Sequence, residues 1–248
     1  MITRSTKGTG RNTASERAPK HVMETATLIE HPLLAAAATS VRVRLHQRLA
    51  VSVDQTETVY VVRSGLVALS TWLEGRRRSL LSLIYPGEIF RTSFAPPLAD
   101  TALMALAAGE VLRLPWHAFD NLVTAEVPLG RGYERQVARQ LACNSLHATV
   151  VATLTGEERV ATFLVEQALR LGRRTSGGIA FDLPMTREDI ADYLSLNADT
   201  LSRIMSRLKA GGLITVAGRG HALTREFDRL LALSPVAAAL QQLHEPRF

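Results

Sequence analysis

Residues 185–208 read Met185-Thr186-Arg187-Glu188-Asp189-Ile190-Ala191-Asp192-Tyr193-Leu194-Ser195-Leu196-Asn197-Ala198-Asp199-Thr200-Leu201-Ser202-Arg203-Ile204-Met205-Ser206-Arg207-Leu208. The pattern predicts two short helices joined by a turn. Thr186 suits a helix N-cap, and Asp189 three residues on makes a capping box with Asp in place of Glu. Ile190, Tyr193 and Leu194 then give the first helix one apolar face. Ser195-Leu196-Asn197 is the turn, with Asn197 as N-cap of the second helix. In that helix Leu201, Ile204, Met205 and Leu208 fall at i, i+3, i+4 and i+7 and share a buried stripe. Asp199, Ser202, Arg203 and Ser206 take the same spacing on the opposite face.

That opposite face carries short polar side chains around one Arg, the equipment a helix needs to meet base edges in a groove about 12 Å wide. Arg203 can donate a parallel pair of hydrogen bonds to guanine, Asp199 can accept from a cytosine amino group, and Ser202 can bond either way. An ordinary amphipathic surface helix would show the same two faces. The next residues decide between the readings: Leu213-Ile214-Thr215-Val216 reads as a strand, 217–221 as a glycine-rich tip, and Ala222-Leu223-Thr224 as a return strand. Such a hairpin is a wing that brings Arg219 and His221 toward a phosphate backbone, where contacts supply affinity and register.

Working back toward the N-terminus, residues 41–114 are short β-type runs punctuated by Gly65, Gly75, Gly87 and Gly109, which suggests an antiparallel sandwich or barrel. Thr58-Val59-Tyr60-Val61-Val62 and Leu66-Val67-Ala68-Leu69 look like two strands around a tight turn at Arg63-Ser64-Gly65. After Trp116 the period becomes helical, with Tyr133, Val137, Leu141, Ala148 and Val151 along one stripe of a helix from about Pro128 to Leu154. So long a helix is either a spine within the subunit or half of a two-helix dimer seam. A further helix runs from about Glu157 to Leu171, and Gly172 with Ser176-Gly177-Gly178 marks a break.

The 248-residue chain is 46% hydrophobic, with a formal net charge of +6. Five of its cations (Arg4, Lys7, Arg11, Arg17 and Lys20) stand against Glu16 alone in the first 20 residues, which read as a disordered basic arm. Charge alone therefore says little about a nucleic-acid partner. No apolar run approaches the roughly 18 residues of a membrane span, so the expectation is a cytoplasmic protein without a membrane partner. Cys143 is the single cysteine, which excludes an internal disulfide and a multi-thiolate cluster; on a packed helix it reads as a small hydrophobe. The seven histidines show no metal-ligand spacing, and the expectation is no metal and no cofactor. An enzyme is the weakest reading, because no phosphate-cradling loop, metal cluster or activated nucleophile is present; Glu157-Glu158 suits the field of a helix N-terminus.

The C-terminal motif, from Met185 to Leu194, then Thr200-Leu201-Ser202-Arg203, then Leu213-Ile214, resembles the family of the cyclic AMP receptor protein and the fumarate–nitrate reduction regulator (CRP/FNR). The resemblance covers about residues 41–224 and implies an α+β protein: a basic arm (1–22), a double-stranded β-helix or jelly-roll sensor like a cyclic-nucleotide-binding domain (23–125), a dimerisation helix (126–154), a winged helix-turn-helix (155–235) and a tail (236–248). Members near the anaerobic and nitrogen-fixation regulators carry Glu, Ser and Arg on the recognition helix, which match Asp199, Ser202 and Arg203. The match implies a homodimer on a palindromic double-stranded operator of the TTGAT type, working with RNA polymerase. It also implies phosphate contacts from Thr186, Arg187, Asn197, Thr200, Arg207, Arg219 and His221. Two positions depart from the pattern: Asp199 is one methylene shorter than Glu, and Ser195 stands where many relatives have Gly. A left-handed turn there costs on the order of 1 kcal/mol.

Relatives that bind cyclic nucleotides use a Gly-Glu segment and an Arg-Ser pair to hold the ligand. Here Gly87-Glu88 is present, but Ala99-Asp100 aligns with the pair, and an acid repels a phosphate. Arg91 is the one cation nearby that can replace the missing charge. The alternative to a regulator without a ligand is therefore an effector-gated one, its β-roll binding a cyclic nucleotide or another small molecule. The apolar run 102–108, with Met104, fits a core strand in preference to a pocket wall.

Overall fold

The structure is a computed structural model that describes residues 31–51, 56–72, 78–98, 100–218 and 220–244. The expected basic arm at 1–22, the start of the expected sensor at 23–30, and Arg219 lie outside the described residues. A short helix α1 (Pro32–Ala37) leads into six strands: β1 (Thr39–Val43), β2 (Arg48–Leu49), β3 (Thr58–Trp72), β4 (Arg78–Ile84), β5 (Ile89–Arg91) and β6 (Thr101–Pro115). They form one antiparallel sheet in the order β1-β6-β3-β4, with β2 on β6 and β5 on β3.

Alternation along the long strands sorts side chains into separate cores, because successive residues point to opposite faces. Val59 and Val61 join one apolar cluster with Leu34, Ile89, Leu112 and Phe119. Tyr60 and Val62 face the roll interior with Val67, Leu69, Phe90, Leu103 and Ala105. On the far side of the sheet, Leu66, Ala68, Met104 and Leu106 share a third cluster with Phe163, Tyr193, Leu201 and Ile204 from the C-terminal region. Residues 102–106 are thus core strand, and the β-roll and C-terminal module share one continuous apolar core.

The expected turn at Arg63-Ser64-Gly65 does not form. β3 runs through it as one strand whose register against β6 shifts between Val62 and Val67. The cause lies in two glycines that let the strands close in: Gly65 has φ +85, and a Cβ on Gly109 would sit 2.1 Å from the Ser64 carbonyl oxygen. The chain bends where a sequence reader sees a reversal.

Helix α2 (Trp116–Ala125) leads to the long α3 (Val127–Thr153), with Pro128 in its first turn. Helix α4 (Gly156–Leu171) opens on a capping box between Thr155 and Glu158. Then come β7 (Arg173–Thr175), β8 (Gly178–Asp182), α5 (Arg187–Tyr193), α6 (Ala198–Ala210), β9 (Thr215–Ala217), β10 (His221–Thr224), α7 (Phe227–Ala232) and α8 (Ala237–Leu243). The glycine-rich break near 176–178 is the turn of a β7–β8 hairpin, which extends the wing into a four-stranded sheet ordered β7-β8-β10-β9. The expected tail at 236–248 instead contributes α8, whose Leu240 is buried in the shared core. Among the described residues no helix is long and apolar enough to cross a membrane.

Candidate nucleic-acid interface

Helix α5 begins where Thr186 accepts a hydrogen bond from the Asp189 backbone N–H while the Asp189 carboxylate accepts from the Thr186 N–H and hydroxyl. Asp189 is wholly buried and Ile190, Ala191 and Tyr193 pack beneath it, so the helix is anchored at its first turn. The turn to α6 is closed by the Leu196 N–H donating to the Ala191 carbonyl. Ser195 takes the left-handed conformation there, with φ +52, as its place in the motif requires. Asn197 then caps α6 by accepting from the Asp199 N–H at 2.8 Å.

The two faces of α6 separate as the spacing demands. Leu201, Ile204, Met205 and Leu208 are each 3% exposed or less. Asp199, Thr200, Ser202, Arg203, Ser206 and Arg207 are exposed on the other side. Ser206 is turned back onto the Ser202 carbonyl, which leaves the outer surface to Asp199, Ser202 and Arg203. Thr186 and Arg187 are exposed at the start of α5, beside this surface in the chain.

Besides the two caps Thr186 and Asn197, two basic residues expected at phosphates have side-chain partners within the chain. Arg207 donates to Glu157 at 2.9 Å, and the exposed His221 lies with Nδ1 2.6 Å from Asp182. Both pairs are solvent-exposed and of little strength, so a polyanion can compete for either cation. The wing forms as β9 and β10, with Ala222 paired to Val216.

The stripe expected along α3 divides between two sides of that helix. Tyr133 packs edge-on to Phe119 at 5.0 Å and beside Trp116, inside its own subunit. Val137 faces the roll and Val151 is half-buried, whereas Leu141 and Ala148 are exposed. The open stripe runs Ala138, Leu141, Ala142, Ser145, Ala148 and Ala152; the spacing singled out Leu141 and Ala148 but not the other four, which are all small.

Between α3 and strands β3 to β5 lies a cavity of about 350 Å³. Leu69, Ile84, Phe90 and Val137 make its apolar walls, Ser82, Gln140 and Asn144 supply polar groups, and among the described residues no charged side chain lines it. Arg91 points elsewhere: it pairs with both carboxylate oxygens of Glu57 and stacks on Trp116 at 3.5 Å. Glu88 is also committed, accepting from the Tyr85 N–H and pairing with Arg139 of α3 and Arg170 of α4. Burial opposes the charge on Arg170, yet the facing Glu88 and Glu166 carboxylates and Tyr85 hold its guanidinium above the ordinary range.

Desolvation pushes the Cys143 thiol up to about 11, so the thiol form dominates at neutral pH. Among the described residues no group of three or more His, Cys, Asp or Glu side chains is arranged to hold a metal.

Residues 158–233 match the family model of the Crp-like helix-turn-helix domain. The chain is 28% identical over 185 residues to the transcriptional activator protein FnrL of Cereibacter sphaeroides, covering 72% of this chain and 73% of that one. It is 27% identical to the transcriptional activator protein FnrA of Stutzerimonas stutzeri over 67% of this chain and 68% of FnrA. The solved structure of FixK2 from Bradyrhizobium japonicum superposes with a TM-score of 0.68 at 29% identity, over 79% of this chain and 97% of FixK2. With a β-roll and a long helix ahead of a Crp-like winged helix-turn-helix, the chain is a DNA-binding transcription regulator similar to members of the CRP/FNR family, among them FNR-like activators and FixK2.

Proposed function

We propose that the protein binds a palindromic operator as a homodimer, reads bases through Arg203, Ser202 and Asp199, and acts at a promoter with RNA polymerase. The observation that carries this reading is the division of α6 into a sealed apolar face and an open polar one centred on Arg203. Thr186, Arg187, Asn197, Thr200, Arg207, Arg219 and His221 serve the phosphates, fixing register without reading sequence. The exposed stripe of α3 through Leu141 and Ala148 is the dimer seam, and the two recognition helices enter successive major grooves about 34 Å apart. The transcriptional activators FnrL and FnrA support a role in transcription, and the reading that goes with it is a cytoplasmic regulator that acts by binding and not by catalysis.

Selection of bound duplexes from a random library tests this directly; the expected product is an inverted repeat. On the selected duplex, Arg203→Ala weakens binding by about 1–3 kcal/mol and leaves binding to random duplex nearly unchanged. Equal losses on both duplexes would remove Arg203 from base reading.

The cavity beside α3 favours a second reading, in which a small neutral ligand in the β-roll gates the regulator. Its volume falls in the range of small-molecule sites, and its lining suits an apolar molecule with a few hydrogen-bonding groups. With Arg91 held by Glu57 and Glu88 held by two arginines, the lining among the described residues offers a cyclic phosphate no cation.

A further inference from the structure

Arg78 opens β4 in the β-roll, yet its guanidinium belongs to the helix-turn-helix. It donates from Nη2 to the Asp189 carboxylate at 2.6 Å and from Nε to the Asp192 carboxylate at 2.8 Å. The two acids lie at i and i+3 on α5, so one guanidinium spans both. A third side chain joins from the other end of the sheet: His46 Nε2 lies 3.2 Å from the second Asp189 oxygen. His46 sits in a tight turn at φ +60, its backbone N–H donating to the Ala105 carbonyl at 2.7 Å. The β-roll thus grips the first helix of the DNA-reading motif at two points.

We propose that Arg78, with His46 beside it, is a positioning residue for DNA recognition, clasping α5 to β4 so that α6 is held in the pose that meets DNA. Three features support a holding role over a blocking one. Asp189 and Asp192 face the β-roll, and neither belongs to the reading surface of α6. With the clasp closed, Asp199, Ser202 and Arg203 remain open to solvent. The short link through Leu196 and Ala191 means that α6 follows α5 when α5 moves. A dimer whose two recognition helices must fall in successive grooves loses affinity when each helix is free to wander. The clasp also contains a charge the fold cannot leave alone: Asp189 is wholly buried, and Arg78 is its one fully charged partner among the described residues.

The inference rests on the DNA-reading role proposed above, and its test separates the two. Full-length wild type, Arg78→Met, Asp192→Asn and the double variant are titrated against the duplex that wild type selects from a random library. Amide hydrogen exchange is followed in parallel. The expected result is a roughly tenfold loss of affinity for each single variant, with the double variant within about threefold of either, because all three break one coupled unit. Arg78→Lys, which keeps the charge but cannot span both acids, recovers part of the loss. In Arg78→Met the amides of α5 exchange faster while those of β3 and β6 do not. Unchanged or tighter duplex binding by Arg78→Met, with α5 exchanging faster, would make the clasp a mere brace or an inhibitory latch and overturn the proposal. Additive losses in the double variant overturn it as well. If wild type selects no duplex at all, the DNA-reading role itself falls, and the positioning role falls with it.

Discussion

His147 lies flat on Tyr193, with ring centroids 3.9 Å apart and planes within 5°, under the helix that opens the DNA-reading motif. Burial holds its imidazole down to about 4, only partly opposed by a backbone hydrogen bond at Tyr193. An unfolded chain takes up this proton near pH 6.5, whereas the folded protein refuses it until about pH 4. Stability from this site is therefore complete above pH 6.5 and lost as the pH falls through the window from 6.5 to 4. Between pH 7 and 5 the loss amounts to about 1–2 kcal/mol at 1.36 kcal/mol per pKa unit. His147→Phe keeps the stack and removes the titration, so urea unfolding at the two pH values should give a smaller difference for the variant than for wild type. An equal pH dependence in both would mean that the imidazole titrates normally in the folded state. Ser195 makes a different point at the same scale. Its positive φ was anticipated from the family resemblance, in which many relatives carry Gly at this position, and the chain accepts the strain without glycine.

At the scale of elements, what a single stretch of sequence encodes was readable and what two distant stretches encode was not. Local hydrogen bonds and periodic burial fixed α5, α6 and the wing, and the capping box at Thr186 and the stripe at Leu201, Ile204, Met205 and Leu208 stand where spacing put them. The false turn in β3 fails for the complementary reason: Gly65 bends the strand because Gly109 of β6, 44 residues later, meets it, and no local pattern records that meeting. The stripe on α3 misled in a similar way. Apolar size suggested Tyr133 and Val137 for the seam beside Leu141 and Ala148, but Tyr133 and Val137 turn toward the subunit's own interior, and the outward face keeps Leu141 among small residues. Small residues on an exposed helix face permit two helices to approach closely. In a two-fold seam each residue near the axis meets its own copy, so a charge placed there is doubled against itself. Ala148→Glu is exposed in the subunit and should leave folding intact, while weakening the dimer at least tenfold by sedimentation equilibrium. An unchanged dissociation constant would move the seam off this face.

Across the whole molecule, charged pairs tie the β-roll to three helices behind it. Glu88 holds Arg139 of α3 and Arg170 of α4, and Arg78 holds α5, so each helix that could transmit a signal is fastened to the sheet by a buried or half-buried pair. None of these pairs was legible in the sequence, since their partners are separated by 51 to 114 residues. The cavity lies against the same parts: Phe90 follows Glu88 by two residues, and Gln140 follows Arg139 directly while donating to the Ile89 carbonyl. A molecule filling it would press on the segment that carries Glu88 and on α3 together. The lining decides which molecule. A cyclic nucleotide must bury a phosphate, and burying an anion without a cation or several donors is costly. Isothermal titration with cyclic AMP should therefore give no binding heat, whereas the neutral apolar fluorophore N-phenyl-1-naphthylamine should bind with one site per chain. Val137→Trp, which fills the cavity from α3, should abolish the fluorescence gain and leave the folded state intact by circular dichroism. Tight cyclic AMP binding that is lost in Arg91→Ala would show that Arg91 leaves Glu57 for the ligand, and would return the β-roll to phosphate recognition.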